Sequence, residues 1–193
     1  FDSFLERNIK FTEPCRTLSD LELLNDKFDA FICGSDQVWS PLAYDPHYYL
    51  NFVHDNAKKI AYAPSMGAKE IRDRYIKADI SHLLDGFGAL SAREDSGARL
   101  ICGLTGRHVE VVADPTLLFD AERWEKICSA DEDRTARYLL VYMLGNSDEQ
   151  WAAIEKTASS RGLALRIIPV FEQDTKRSGC VTEPVGPEEF VKL

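Results

Sequence analysis

The sequence lacks the motifs by which metal, redox and nucleotide-binding sites are most readily identified. Its five cysteines are widely spaced and include no C-x-x-C pair, so neither a zinc ribbon nor a thioredoxin-type redox site is indicated. The four histidines are scattered without metal-ligand spacing, and we predict no metal site. The segment GLTG at residues 103–106 lacks the full pattern of a glycine-rich phosphate loop, which argues against a nicotinamide or flavin Rossmann protein.

Long apolar runs and an excess of basic residues are also missing. Apolar stretches such as YLLVYML at residues 138–144 are too short to span a bilayer, and no signal peptide is visible. The 193 residues carry a net charge of −9, which argues against nucleic acid or an anionic membrane as the main partner. An anionic substrate would therefore need a local basic group. We expect a cytoplasmic protein whose cysteines are mostly reduced and buried.

The sequence does contain short apolar runs that alternate with helical patterns. The runs are apolar throughout, which is typical of parallel strands covered on both faces. Their spacing of about 20 to 30 residues predicts βαβ units and an α/β fold. The predicted strands are residues 28–33, 59–63, 88–92, 109–113, 138–144 and 163–170. The predicted helices are residues 69–87, 94–104, 119–129 and 148–160.

Local signals mark the ends of two of these helices. Asp120 is a suitable N-cap for the third helix, and Ser147 with Gln150 forms an S-x-x-Q capping box at the start of the fourth. Gly162 is positioned to end the fourth helix. Between the two helices, the charged segment at residues 131–137 changes the composition, and the strand pattern restarts after it. We therefore predict a domain boundary near residues 130–137.

Small or polar residues follow every predicted strand of the first domain. Ligands of open parallel sheets bind outside the carboxyl ends of the strands, so these residues are candidates for a site. Turn residues are expected at such positions in any case, which makes each one a weak signal when taken alone. The candidates are Gly34, Ser35, Asp36, Gln37, Ser65, Arg93, Glu94 and Asp114.

Three of these candidates each have a functional and a structural interpretation. Arg93 could bind a phosphate or carboxylate, or it could form a salt bridge with Glu94, with Asp95 or with a carboxylate at the sheet end. Asp36 could act as a general acid or base, or it could cap the turn that follows or hold Gln37. Asp114 could belong to the site, but it precedes Pro115, and this pair favours a structural turn over a functional role.

Five segments, taken together and in this order, resemble the polysaccharide pyruvyl transferase family. As a set they are specific, although DPTLL alone would not be. The resemblance is strong over about residues 1–130 and weaker beyond them. The segments are GSDQVW at 34–39, YLNF at 49–52, KKIAYAPSMG at 58–67, SARE at 91–94 and DPTLL at 114–118.

The resemblance implies two Rossmann-like lobes, each a parallel sheet with flanking helices, similar to the GT-B glycosyltransferases and with the site in the cleft between them. Residues 1–132 would then be the N-terminal lobe without its first βα unit, and residues 133–193 the truncated start of the C-terminal lobe. The chain begins at Phe1 without a methionine and ends in GPEEFVKL. We therefore expect a fragment that lacks a downstream histidine motif and has an incomplete active site.

The resemblance also implies a reaction in polysaccharide, for example exopolysaccharide, biosynthesis. Pyruvate would move from phosphoenolpyruvate to two hydroxyls of a saccharide as a cyclic ketal, with release of phosphate. Phosphoenolpyruvate would be a co-substrate, and no further cofactor is expected. Asp36 would be catalytic. The substrate-binding residues would be Gly34, Ser35, Gln37, Ser65, Arg93, Glu94 and Asp114.

Two other functions stay open from the sequence. One is a GT-B-like glycosyltransferase that uses a nucleotide sugar, since the same scaffold supports both reactions. The other is a non-catalytic protein of a polysaccharide locus. The sequence names neither the acceptor sugar nor the oligomeric state, and a homo-oligomer is one of the states it allows.

Overall fold

The computed structural model describes residues 2–128, 137–145, 147–181 and 185–193. The chain divides into two compact units, one formed by residues 11–119 and the other by residues 1–10 together with 120–193. The predicted boundary near residues 130–137 falls almost entirely outside the described residues, and the division into 1–132 and 133–193 stays a prediction.

The described residues form α-helices, 3-10 helices and short parallel strands. The α-helices are α1 (Asp2–Asn8), α2 (Leu18–Glu22), α3 (Arg74–Asp85), α4 (Asp95–Thr105), α5 (Ala121–Cys128), α6 (Asp148–Arg161) and α7 (Pro187–Lys192). The strands are β1 (Phe31–Cys33), β2 (Lys59–Ala61), β3 (Ser91–Ala92), β4 (Glu110–Val111), β5 (Tyr138–Val141) and β6 (Ala164–Ile167). The 3-10 helices are Leu23–Asp26, Pro41–Ala43, Pro46–Tyr49, Asn56–Lys58, Pro115–Leu118 and Glu172–Lys176.

The unit of residues 11–119 carries its strands in chain order. β1 pairs in parallel with β2, and β3 pairs in parallel with β4. A parallel bridge between Ile60 and Ala89 joins the two pairs, so that β1, β2, β3 and β4 follow one another across the unit. The predicted α/β class is confirmed, and all four predicted strand positions of this unit contain a strand.

The strands are shorter and less covered than predicted. β1 begins at Phe31 rather than at Phe28, whose side chain is exposed. Ile32 in the middle of β1 is 65% exposed, and both residues of β4 are exposed. The expectation that every strand is covered on both faces is therefore wrong for β1 and β4, the outer strands of the row.

The helix α3 starts five residues later than the apolar pattern predicts. The Asp73 carboxylate accepts hydrogen bonds from the backbone N–H groups of Tyr75 and Ile76, at 2.8 and 3.1 Å, and this cap fixes the first turn. Downstream of the cap, Ile80 and Leu84 are fully buried in the core. Tyr75, one of the apolar positions in the helical repeat of the predicted helix at residues 69–87, is exposed.

An aromatic cluster holds the segment that follows β1. The Trp39 indole is fully buried, stacks on Tyr49 with ring centroids 5.0 Å apart and meets Phe87 edge-on at 5.4 Å. Its Nε1–H donates to the Tyr48 carbonyl at 2.9 Å, which satisfies the buried polar atom. The Trp39 backbone N–H donates to the Ser65 carbonyl at 3.3 Å. The cluster thus fixes the loop after β1 against the loop after β2.

The second unit contains the parallel pair of β5 and β6 with α6 between them in sequence. Its small core is formed by Val141, Trp151 and Ile167. The predicted capping box at Ser147 and Gln150 is confirmed, and Gly162 ends α6 in the left-handed conformation with φ of 60°. The predicted cap of α5 is also confirmed, because Asp120 Oδ1 accepts the Arg123 backbone N–H at 2.9 Å.

Two further expectations concern cysteines and membranes. Of the four cysteines whose side chains the structure describes, Cys33 is buried, Cys102 is exposed and Cys15 and Cys180 are half-buried, all as free thiols. The expectation that most cysteines are buried is wrong for these four. Within the described ranges, no helix has the length and apolar character needed to cross a membrane.

Candidate functional site

Residues that follow β1, β3 and β4 meet at the carboxyl ends of these strands. Arg93 Nη1 donates to Asp114 Oδ2 at 3.0 Å, and Arg93 Nη2 lies 3.6 Å from Asp36 Oδ1. The Ser35 hydroxyl donates to the same Asp114 oxygen at 2.8 Å. We call Ser35, Asp36, Arg93, Asp114 and the adjacent Thr116 the Arg93 site. The sequence placed four of the five among the candidates.

Asp114 is the most heavily hydrogen-bonded group of the Arg93 site. Its Oδ1 accepts the Thr116 backbone N–H at 3.0 Å and the Thr116 hydroxyl at 2.8 Å, while Oδ2 accepts from Ser35 and Arg93. The Thr116 backbone N–H, the Ser35 hydroxyl, the Thr116 hydroxyl and Arg93, in that order, hold the pKa of Asp114 well below its usual range. The structural turn predicted for Asp114 is confirmed, and its carboxylate stays ionised.

Arg93 forms the predicted salt bridge and still has N–H donors for a ligand. The hydrogen bond to Asp114, together with the charges of Asp114, Asp36 and Glu94, raises the pKa of the guanidinium against a smaller effect of burial, so Arg93 stays charged. The salt bridge to a carboxylate at the sheet end is confirmed. Within the described residues, the guanidinium makes one hydrogen bond out of its five N–H donors, and the side chain is 31% exposed. The remaining donors are available to an anion.

Asp36 has a backbone role and an exposed carboxylate. Its φ of 60° is unusual for a residue other than glycine, and its carbonyl accepts the Ser65 backbone N–H at 2.7 Å. The side chain is 86% exposed. The structure therefore places Asp36 in the predicted turn, with its carboxylate in solvent next to Arg93. Its catalytic role stays a prediction.

The backbone at the ends of β1 and β2 is unusually constrained. Gly34 has φ of 127°, precedes a cis peptide bond to Ser35, and is so close to the next strand that an added Cβ would lie 1.9 Å from the Tyr62 carbonyl oxygen. Only glycine fits at this position. Ala63, after β2, also has a positive φ of 53°. A positive φ at a residue other than glycine, as at Asp36 and Ala63, is costly and is found more often at functional sites, which favours a site here.

Ser65 and Glu94 form a separate cluster that joins the loop after β2 to the start of α4. The buried Ser65 hydroxyl donates to Glu94 Oε1 at 3.0 Å and accepts the Gly67 backbone N–H at 3.1 Å. Glu94 Oε1 also accepts the Met66 backbone N–H at 3.2 Å. These contacts give Ser65 and Glu94 a positioning role. Their predicted contact with substrate stays a prediction.

Gln37 is the remaining candidate, and it lies beside the loop after β2. Its exposed side chain is so close to Gly67 that a Cβ added there would lie 2.9 Å from Gln37 Cδ. The structure thus brings Gln37 next to Gly67, and its contact with a substrate stays a prediction.

Thr116 was not among the predicted candidates, although its backbone N–H and its hydroxyl both donate to Asp114. The signal was present in the segment Asp-Pro-Thr, since an aspartate commonly accepts a hydrogen bond from the residue two positions later. In the part of the chain that the structure describes, no group of three or more histidine, cysteine or acidic residues could hold a metal ion. The chemistry of the site is that of a fixed guanidinium beside an exposed carboxylate.

Comparison with known proteins identifies a family. A family model described as polysaccharide pyruvyl transferase matches residues 2–193. A search of curated proteins and a search of solved structures found no match. The motifs at the Arg93 site and the family model, which covers nearly every residue, agree. The chain belongs to the polysaccharide pyruvyl transferase family.

Proposed function

We propose that the protein transfers pyruvate from phosphoenolpyruvate to two hydroxyls of a saccharide, forming a cyclic ketal and releasing phosphate. Family membership supports a polysaccharide pyruvyl transferase in general. One observation carries the finer proposal. The Arg93 guanidinium is held by Asp114 at the carboxyl ends of the strands, yet most of its donors have no partner among the described residues. A carboxylate or phosphate is the natural ligand of such a group.

The proposed reaction requires one acid and one base. Protonation of the methylene carbon of phosphoenolpyruvate makes C2 electrophilic, and a saccharide hydroxyl then attacks C2 and loses its proton. The C2–O bond to phosphate breaks, and the second hydroxyl adds to C2 in its place. Of the two hydroxyl protons lost, one balances the proton gained by the methylene carbon and the other leaves with the phosphate. A positioned carboxylate can carry such protons.

Arg93 is proposed to bind the anionic groups of the donor. An incoming carboxylate or phosphate would replace Asp36 at Nη2, where the separation of 3.6 Å is too long for a hydrogen bond. The Nη1 bond to Asp114 would keep the guanidinium oriented while this exchange takes place. Pre-oriented charges of this kind favour the bound donor because they need no rearrangement during the reaction.

Asp36 is proposed to carry the proton. Its carboxylate is exposed beside Arg93, at the point where the donor would bind. The hydrogen bond from the Ser65 backbone N–H to the Asp36 carbonyl and the close packing of Gly34 against Tyr62 hold the backbone of this loop in place. Gln37 would contact the substrate from the same loop, and Ser65 and Glu94 would do so from the neighbouring one.

The proposal also includes the two-lobed fold and the biosynthetic process in which the protein acts. We propose that each compact unit is a Rossmann-like lobe of the kind found in GT-B glycosyltransferases. The parallel pairing of β1 with β2, and of β5 with β6, supports this assignment. The proposed setting is the synthesis of exopolysaccharide in the cytoplasm.

Phosphate release tests the proposal. The complete gene product is incubated with phosphoenolpyruvate and a mixed pool of saccharides, beside the variants Arg93→Ala and Arg72→Ala. We expect phosphate release that depends on the saccharide and is lost in Arg93→Ala. Arg72 is an exposed arginine bound to Glu70, so Arg72→Ala is a matched control that should retain activity.

The same assay separates the alternative functions. Release of nucleotide from a nucleotide sugar, without phosphate release from phosphoenolpyruvate, would overturn the proposal in favour of a glycosyltransferase. Phosphate release that Arg93→Ala leaves unchanged would support the reaction but remove Arg93 from it.

A further inference from the structure

A groove between α3 and α4 contains none of the residues of the Arg93 site. It lies within the unit of residues 11–119, is open to solvent and has a volume of about 480 Å3. The Ser81 hydroxyl donates to the Leu104 carbonyl at 3.0 Å and ties the two helices together. The residues that line the groove include Lys69, Lys77, Ser96, Arg99, Leu100 and Leu104.

Three cations line this groove without a carboxylate partner. Throughout residues 2–128 and the other described ranges, the side chains of Lys69, Lys77 and Arg99 form no hydrogen bond and no ion pair. All three are exposed. In a protein with a net charge of −9, such a concentration of positive charge favours the approach of an anion to this groove.

Acidic side chains on the α3 side of the groove are bound to other partners. Glu70 Oε1 lies 2.7 Å from Arg72 Nε, and the Asp79 carboxylate accepts a hydrogen bond from the Tyr44 hydroxyl. Asp73 caps the first turn of α3. Among the described residues, none of these carboxylates forms an ion pair with Lys69, Lys77 or Arg99.

The shape of the groove suits a chain of sugar rings better than a three-carbon compound. From Ser96 to Leu104, α4 runs for about 12 Å along the groove. Leu100 and Leu104 provide apolar surface on which the faces of sugar rings can pack. At Gly103 an added Cβ would meet no heavy atom within 4 Å, so the groove wall is open there.

We propose that this groove binds the saccharide acceptor through its anionic substituents, which are carboxylates of acid sugars or phosphates. Lys69, Lys77 and Arg99 would pair with these groups. The inference rests on the proposed function and names its acceptor class. Lys69 follows the loop of Ser65, and Ser96 lies three residues after Arg93, so both ends of this lining are close in sequence to residues at the carboxyl ends of the strands.

Isothermal titration calorimetry on the complete gene product tests the groove directly. The probes are trigalacturonate, inorganic pyrophosphate and neutral maltotriose, and the groove variant combines Lys69→Gln, Lys77→Gln and Arg99→Gln. We expect at least one of the two anions to bind wild type about tenfold more tightly than the groove variant. Maltotriose should not distinguish the two proteins, because it carries no charge.

A matched control variant removes the same number of positive charges away from the groove. It combines Lys10→Gln, Lys27→Gln and Arg161→Gln, three exposed residues. The control should bind the anions as wild type does. Equal affinity of both anions for wild type and the groove variant, or equal weakening in both triple variants, would overturn the proposal.

The choice of probes distinguishes an acid sugar from a phosphate-bearing acceptor, and it distinguishes failure of the groove proposal from failure of the proposed function. Tighter binding of trigalacturonate indicates an acid sugar, and tighter binding of pyrophosphate indicates a phosphate-bearing acceptor. Phosphoenolpyruvate, titrated in parallel, should bind wild type and the groove variant equally. If it binds neither while an anion probe distinguishes them, the proposed function fails and the groove stands as an anion site. If only phosphoenolpyruvate binding weakens in the groove variant, the acceptor assignment is overturned.

Discussion

At the scale of single residues, Asp114 is the group that connects the other residues of the Arg93 site. Its carboxylate is bound by Thr116, Ser35 and Arg93, and these contacts lower its pKa. A carboxyl group with a lower pKa in the folded than in the unfolded protein stabilises the folded state above its unfolded pKa. That contribution is lost as the pH falls from the unfolded value towards the folded one.

Asp114→Asn should therefore show a pH-dependent loss of stability. Near neutral pH the variant should have a lower free energy of unfolding than wild type. This difference in free energy should become smaller below about pH 4, because Asp114 of the unfolded wild-type chain becomes protonated there. Chemical denaturation at a series of pH values measures this gap. Asp29→Asn, at an exposed position, is the control. A gap that does not change with pH would contradict the role of the ionised carboxylate.

The sequence could predict where the site lies but not which residues pair in it. Each candidate was visible as a small or polar residue that follows an apolar run. The Ser35–Asp114 bond joins residues 79 positions apart, and the Arg93–Asp114 bond joins residues 21 apart. Such pairs depend on the order of strands, which local patterns do not contain. Local patterns also do not show that Lys69, Lys77 and Arg99 lie together, so each of them looks like an ordinary surface charge in the sequence.

At the scale of elements, caps were the most predictable features and element lengths the least. Ser147, Gln150 and Gly162 fixed the ends of α6 through local hydrogen bonds, which the sequence shows directly. The apolar pattern before α3 extended beyond the helix, because Ile71 is buried without being helical. Ile71 is buried because it packs in the core, whereas the start of the helix is set by the Asp73 cap.

Two glycines of α4 should respond oppositely to substitution by alanine. At Gly103 a Cβ meets no atom within 4 Å, so Gly103→Ala should raise the free energy of unfolding by about 0.5–1 kcal/mol. At Gly97 a Cβ would lie 2.8 Å from Glu94 Oε1, which binds Ser65 and Met66. Gly97→Ala should displace Glu94 and lower stability. Chemical denaturation of both variants checks the sign, and stabilisation by both would contradict the packing around Glu94.

At the scale of the whole molecule, the two compact units have cores of different size. The unit of residues 11–119 has a continuous cluster of buried residues from Phe31 to Val109 that includes Trp39 and Tyr49. The described core of the other unit consists of Val141, Trp151 and Ile167 with a few half-buried neighbours. Since apolar burial is the main source of stability, the two units should differ in stability.

Native-state hydrogen exchange should reveal this difference. Amides of β1, β2 and α3 should exchange with higher opening free energies than those of β5, β6 and α6, because more apolar surface must be exposed to open them. Trp151→Phe should lower protection in the second set and leave the first set unchanged. Equal protection of the two groups of amides would contradict the assignment of a weaker core to the unit of residues 1–10 and 120–193.

Binding of phosphoenolpyruvate to wild type, Arg93→Ala and Arg72→Ala is the most direct measurement for the central claim. The loss of a charge-assisted contact to the donor should weaken binding in Arg93→Ala by about tenfold to a hundredfold, and Arg72→Ala should bind as wild type does. Calorimetric titration at constant pH and ionic strength gives the three affinities. If Arg93→Ala binds phosphoenolpyruvate as tightly as wild type, the Arg93 site is not the donor site.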